Sequence, residues 1–174
     1  MPSSVFDLRQ AVESLLLDWE TGGMPSRETL MEQAAALCLQ RGDRGLWEPA
    51  PTMLTATIDD GIGQGIDLIG RFAAAVGMQV TCAGLLLSPA RILEEARRAC
   101  ADLVGLTVLQ LDSEPELAAV ARGLAPRTML VAGGPAFRLD AEMAERAGVG
   151  FVAASVVDFL GFLLGYQPGR RQPA

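Results

Sequence analysis

From Thr52 to Leu164 short apolar segments alternate with segments of helical periodicity, five of each. No other feature constrains the fold as much. The strand-like segments are Thr52–Ile58, Gln79–Ala83, Leu103–Val108, Thr128–Ala132 and Gly150–Ala153. The helix-like ones are Gly65–Val76, Pro89–Cys100, Ser113–Leu124, Leu139–Ala147 and Val156–Leu164. Gly77 closes the first helix, Pro89 sits in the first turn of the second, and Ser113 with Glu116 has capping-box spacing in the third. Strands joined by helices of this length predict an α/β, doubly wound, five-stranded parallel sheet. Right-handed crossovers then favour the order 2-1-3-4-5. Half the residues are hydrophobic but only 5% are aromatic, so the core volume comes from Ala, Leu, Val and Ile, as a buried parallel sheet requires.

Ahead of the sheet stands a short N-terminal helical extension. Val5, Leu8, Val12, Leu15 and Trp19 recur at spacings of three and four and form one apolar stripe. Ser4 with Asp7 suits a capping box, and Gly22 with Gly23 ends the helix. A second helix starts after Ser26, with a stripe of Leu30, Ala34 and Leu37 flanked by Met31 and Cys38. Arg41–Pro51 reads as a linker broken by Gly42, Gly45, Pro49 and Pro51. The expected division is a helical segment and linker over 1–50, an α/β domain over 51–166 and a disordered tail over 167–174. The stripe is too apolar for water. It predicts packing on the sheet domain, or a protein partner or self-association through these helices. Trp19 and Trp47 are expected to be structural.

Several functions are excluded by what the chain carries. The net charge is −7, and no basic run exceeds an arginine pair such as Arg170-Arg171, so direct nucleic-acid binding is not expected. There is no histidine, which removes a Ser-His-Asp triad, histidine metal sites and any imidazole ligand to a cofactor metal. Cys38, Cys82 and Cys100 form no metal spacing and are expected to be reduced core residues. No apolar run approaches the roughly 20 residues that span a bilayer, and no signal-peptide pattern opens the chain, so the expectation is a cytoplasmic protein without membrane contact.

In open α/β sheets ligands bind beyond the carboxyl ends of the strands. The first loop there is Asp59-Asp60-Gly61-Ile62-Gly63-Gln64-Gly65. Its glycines let backbone approach a ligand, and the next helix offers free N–H groups. A dinucleotide fingerprint fails at Ile66, and no phosphate-loop lysine follows. A tight turn without ligand is the plain alternative. The acid pair does not make a receiver-type magnesium site, because the third strand ends Thr107-Val108-Leu109 and Asp112 comes too late. Asp59 and Asp60 are instead expected to cap the loop and accept backbone N–H bonds. With no nucleophile paired to a base, no intrinsic hydrolase or transferase activity is expected.

From Asp59 to about Leu164 the segments, taken in order, resemble the cobalamin-binding domain family. The family loop D-x-H-x-x-G is matched by Asp60 and Gly65, with Ile62 in the histidine's place. Gly70 and Gly77 match the first helix, and Gly84 and Pro89 the second strand and its turn. Ala101-Asp102-Leu103-Val104-Gly105-Leu106-Thr107 resembles the AD-x-V-G-L-S/T strand. Val131-Ala132-Gly133-Gly134-Pro135-Ala136-Phe137 resembles V-G-G-x-x-F. Ala147-Gly148-Val149-Gly150 is similar to the closing G-A-D turn without its acid. The resemblance implies a flavodoxin-like, Rossmann-like cobalamin-binding fold. In the family the histidine replaces the cofactor's own base as lower cobalt ligand, and the displaced nucleotide tail fills a slot. By position that slot would comprise Gly61, Gly63, Gly65, Gly84, Thr107, Gly133 and Gly134, beside Asp60 and Ile62. Ile62 cannot ligate cobalt, so a cobalamin here would have water, its own base or nothing below the metal. Another flat tetrapyrrole, or no cofactor, is equally consistent. Family members often carry a four-helix cap, whereas residues 1–50 supply about two helices. The resulting expectation is a non-catalytic regulatory, sensory or protein-interaction module. The alternatives are a corrinoid carrier subunit of a methyltransferase system and a structural domain without cofactor.

Overall fold

The computed structural model describes residues 7–169. Two helices come first, α1 (Leu8–Gly22) and α2 (Arg27–Arg41). The alternating part runs β1 (Thr52–Thr57), α3 (Gln64–Ala75), β2 (Gln79–Gly84), α4 (Pro89–Arg98), β3 (Leu103–Thr107) and α5 (Glu114–Gly123). It continues with β4 (Met129–Gly133), α6 (Ala136–Leu139), α7 (Met143–Ala147), β5 (Phe151–Val152) and α8 (Val156–Gly165). The sheet is β2-β1-β3-β4-β5, and every described pairing is parallel, as the alternation predicted. The register places Thr57, Thr107 and Gly133 in one row at the carboxyl ends of the three central strands.

Successive side chains of a strand point to opposite faces, and the core divides accordingly. Met53, Leu103 and Val131 face α3 and α8, where Phe72, Val76, Phe159 and Leu160 are buried. Leu54, Val104 and Leu130 face α4, α5 and α7, against Ile92, Leu117 and Met143. The stripes of α1 and α2 join the first of these clusters, with Leu8, Val12, Trp19, Leu30, Ala34 and Leu37 all buried. The N-terminal helices thus pack on the sheet domain through these residues. The segment taken for a linker is fastened as well. The Leu46 amide donates to Val76 O at 2.9 Å, and Trp47 Nε1 donates to Tyr166 O at 2.9 Å.

Several local expectations need correction. The cap of α1 is Asp7, whose carboxylate accepts from the Gln10 amide at 3.2 Å. Ser4, Val5 and the tail from Arg170 lie outside the described residues. Ser113 caps nothing, because its hydroxyl donates to Asp59. The helix expected over 139–147 forms only from Met143, as α7, and the short α6 lies ahead of it. Asp140 separates the two by accepting from the Glu142 amide at 3.1 Å, the local side-chain bond that competes with helix. Cys38, Cys82 and Cys100 are exposed, not core residues. Cys38 stands beside the buried stripe of α2, Cys82 is on the edge strand, and Cys100 follows α4 in a left-handed conformation. Among the described residues no helix is long and apolar enough to cross a membrane.

Candidate functional site

Four loops meet at the carboxyl ends of the strands, and short polar contacts hold them together. Thr57, fully buried, donates its hydroxyl hydrogen to Asp60 O and accepts the Leu86 amide on the same oxygen at 2.9 Å. Its carbonyl accepts the Leu87 amide at 2.9 Å. One residue thereby ties the β1 loop to the β2 loop. Asp60 is buried, and its Oδ1 accepts the amides of Ile62 at 2.7 Å and Gly63 at 3.1 Å. Asp59 reaches the β3 loop, accepting the amides of Leu109 and Gln110, each at 2.9 Å, and the Ser113 hydroxyl at 2.7 Å. Both acids are thus engaged as the loop reading expected. The β3 and β4 loops join where the Val108 amide donates to Gly133 O at 2.9 Å.

Between these loops and the amino ends of α3 and α8 lies a cleft of about 400 Å³. That volume falls in the range of about 300–1,000 Å³ typical of small-molecule sites. One wall is Asp60, Ile62, Gln64 and Gly65, continued along α3 by Leu68 and Ile69. The floor is Thr107 and Leu109, and the far wall runs from Gly133, Gly134 and Pro135 to Ala153–Val156. A Cβ on Gly65 would stand 3.1 Å from Thr107 Oγ1, so the missing side chain lets the start of α3 lie close against β3 at the cleft wall. Gly133 and Gly134 answer a different need. A Cβ on the first would meet Ala153 O at 2.7 Å, and the second holds φ 119° against Val108 O. The first-turn amides of α3 have no side-chain cap, because Gly63 is its N-cap residue.

The cleft brings together Asp60, Ile62, Gly65, Thr107, Gly133 and Gly134. It does not include Gly61, Gly63 or Gly84. Their bare faces turn to Leu86, Leu85 and Leu87 of the β2 loop, which packs on the glycine loop from outside. The sequence reading missed Leu68 and Ile69, which follow Gly65 by three and four residues and share its helix face. It also missed the β5 loop, Ala153–Ser155. That loop carries no distinctive residue type, and only the strand order marks it as part of the site.

An ion cluster braces the outside. Arg146 of α7 pairs with Glu114 at the start of α5 at 2.7 Å and with Asp140 at 2.6 Å. Its hydrogen bonds hold both carboxyls below the usual carboxylate range and raise the guanidinium in turn. Among the described residues no group of three or more His, Cys, Asp or Glu could hold a metal ion.

A family model described as B12 binding domain matches residues 53–158, a span that includes the lining of the cleft. No curated protein matches the chain. Among solved structures, the chain is similar to a novel cobalamin-binding protein from Desulfitobacterium hafniense DCB-2. That match has a TM-score of 0.73 and 15% identity over 89% of this chain and 77% of the other. It is also similar to the monomethylamine corrinoid protein of Methanosarcina barkeri, with a TM-score of 0.57 and 14% identity over 91% and 79%. At these identities the likeness to solved structures establishes the fold.

Proposed function

Because the chain belongs to the B12 binding domain family, we propose that it is a non-catalytic, ligand-responsive module that receives the nucleotide tail of a corrinoid in the cleft and gives the metal no protein ligand. The observation that carries this reading is an apolar cleft of about 400 Å³ whose wall carries Gly65, packed close against the buried Thr107. An elongated ligand with one polar end suits it. Thr107 would offer a hydroxyl, and the uncapped amides at the start of α3 favour an anionic group. Leu68, Ile69 and Leu109 would cover an apolar ring.

The fit is therefore good for the tail and absent for the metal. The chain contains no imidazole, and Ile62, at the position of the family's histidine, is a hydrocarbon. When bound, a corrinoid supplies a redox-active cobalt, whereas the protein supplies a tail site and a shaped surface. A carrier that cycles its metal depends on a controlled lower ligand. A module that reports occupancy to another protein does not, which supports the regulatory reading over a methyltransferase subunit.

Optical titration tests this. Hydroxocobalamin should bind with one-to-one stoichiometry, and cobinamide, which lacks the nucleotide tail, at least tenfold more weakly. Gly65→Ala places a methyl against Thr107 at the cleft wall and should weaken cobalamin binding at least tenfold. Equal affinity for the two corrinoids, or indifference to Gly65→Ala, would show that the tail does not lie in this cleft.

A further inference from the structure

Beside the cleft mouth the β1 and β2 loops leave three large aliphatic side chains in solvent. Ile62 is 77% exposed, Leu86 61% and Leu85 37%. They are neighbours. A Leu85 δ-carbon lies 2.6 Å from where a Cβ on Gly63 would stand, and a Leu86 δ-carbon 3.6 Å from that of Gly61. The two leucines thus bracket the loop that carries Ile62. Ile62 also lines the cleft, so patch and cleft form one continuous surface. Leu86 holds φ 54°, a left-handed conformation that favours glycine, and its amide is fastened to Thr57 Oγ1 at 2.9 Å. A leucine strained there and 61% exposed contributes little to folding beyond its contact with Gly61. Adjoining exposed aliphatic side chains of this kind offer a contact surface.

We propose that Ile62, Leu85 and Leu86 form a dry platform for the underside of the corrin ring. A bound cobalamin would then carry at its lower axial position neither a protein ligand, nor its own base, nor water. This rests on the assignment of the cleft to the corrinoid tail. A base seated in the cleft is withdrawn from the cobalt, and no imidazole is present to replace it. Three hydrocarbon side chains pressed against the ring offer no donor atom and leave water no polar partner. Continuity with the cleft selects the ring as occupant over a protein partner, because a ligand anchored in the cleft projects its bulk onto this patch.

The test is electron paramagnetic resonance of the protein mixed with cobalamin already reduced to the cobalt(II) state. Binding should abolish the nitrogen splitting that the free cofactor shows. Water labelled with a magnetic oxygen isotope should leave the lines unbroadened. Ile62→His, at an exposed position, should bring a nitrogen splitting back. Leu86→Gly separates function from folding. It should raise the thermal midpoint by relieving the left-handed leucine, yet weaken cobalamin binding at least fivefold. A nitrogen splitting that survives in a complex still sensitive to Gly65→Ala would overturn the platform and leave the tail site standing. Line broadening by labelled water, or unchanged affinity in Leu86→Gly, would overturn it too. Failure of every corrinoid to bind would remove both proposals.

Discussion

Three helices close with the same crossed pair of hydrogen bonds, and a single residue distinguishes one of them. After α3 the amides of Met78 and Gly77 donate to Ala73 O and Ala74 O, each at 3.0 Å. After α7 those of Val149 and Gly148 donate to Ala144 O at 2.9 Å and Glu145 O at 3.1 Å. After α4 those of Ala101 and Cys100 donate to Ala96 O at 3.0 Å and Arg97 O at 3.1 Å. This is the Schellman closure, which needs a left-handed residue at its second-last position. Gly77 and Gly148 meet that need freely at φ 105° and 80°, whereas Cys100 holds φ 51° with a Cβ in place. The left-handed conformation costs a side-chain-bearing residue about 1–2 kcal/mol. Glycine gives back part of that through its looser unfolded chain, about 0.5–1 kcal/mol. Cys100→Gly should therefore stabilise the protein by about 0.5–1 kcal/mol in urea unfolding. Cys100→Ala, which keeps the Cβ, should gain nothing. A glycine variant no more stable than the alanine variant would refute the strain.

At the scale of elements, the site depends on loops being tied to one another across the sheet. Asp59 does most of this between β1 and β3. Its half-buried carboxylate takes two backbone amides and a hydroxyl from residues 109–113, and Leu109 forms part of the cleft floor. Hydrogen bonds to a charged group contribute about 1.5–3 kcal/mol each, net of the exchange with water. Asp59→Ala should cost about 2 kcal/mol of stability, since solvent can satisfy the exposed Gln110 amide but less readily that of Leu109. Hydrogen exchange should accelerate at Leu109 and Gln110 while the amides within β3 stay protected. Uniform loss of protection along β3 would mean that Asp59 supports the whole strand and is no local clamp. The hydroxyl of Ser113 shows why an element-level reading misjudged this loop. Its capping-box spacing to Glu116 is a local pattern, and an acid 54 residues away competes successfully for it.

For the whole molecule, the N-terminal helices and one face of the sheet share a single core. Trp19 is buried, meets Phe72 of α3 edge-on at a centroid distance of 5.6 Å, and donates Nε1–H to Gln33 Oε1 at 3.1 Å. Trp19→Ala should cost about 3–5 kcal/mol, the range for removing a buried aromatic ring, and unfolding should remain one cooperative transition. Two transitions, with the sheet domain unaffected, would show that the helices fold apart from it. The sequence by itself determined the parallel sheet and its order, because alternating periodicities and right-handed crossovers admit few arrangements. It also determined the loop that opens the site and showed that the chain carries no histidine, which are matters of residue type and local spacing. Only the tertiary structure decided which glycines face the cleft. Gly65 and Gly63 stand two residues apart, yet one lines the cleft beside Thr107 and the other lies under Leu85. It likewise decided that Cys38 is exposed, although Leu37 beside it is buried. Periodicity tells which residues share a side of an element, whereas what covers that side depends on partners brought from elsewhere in the chain.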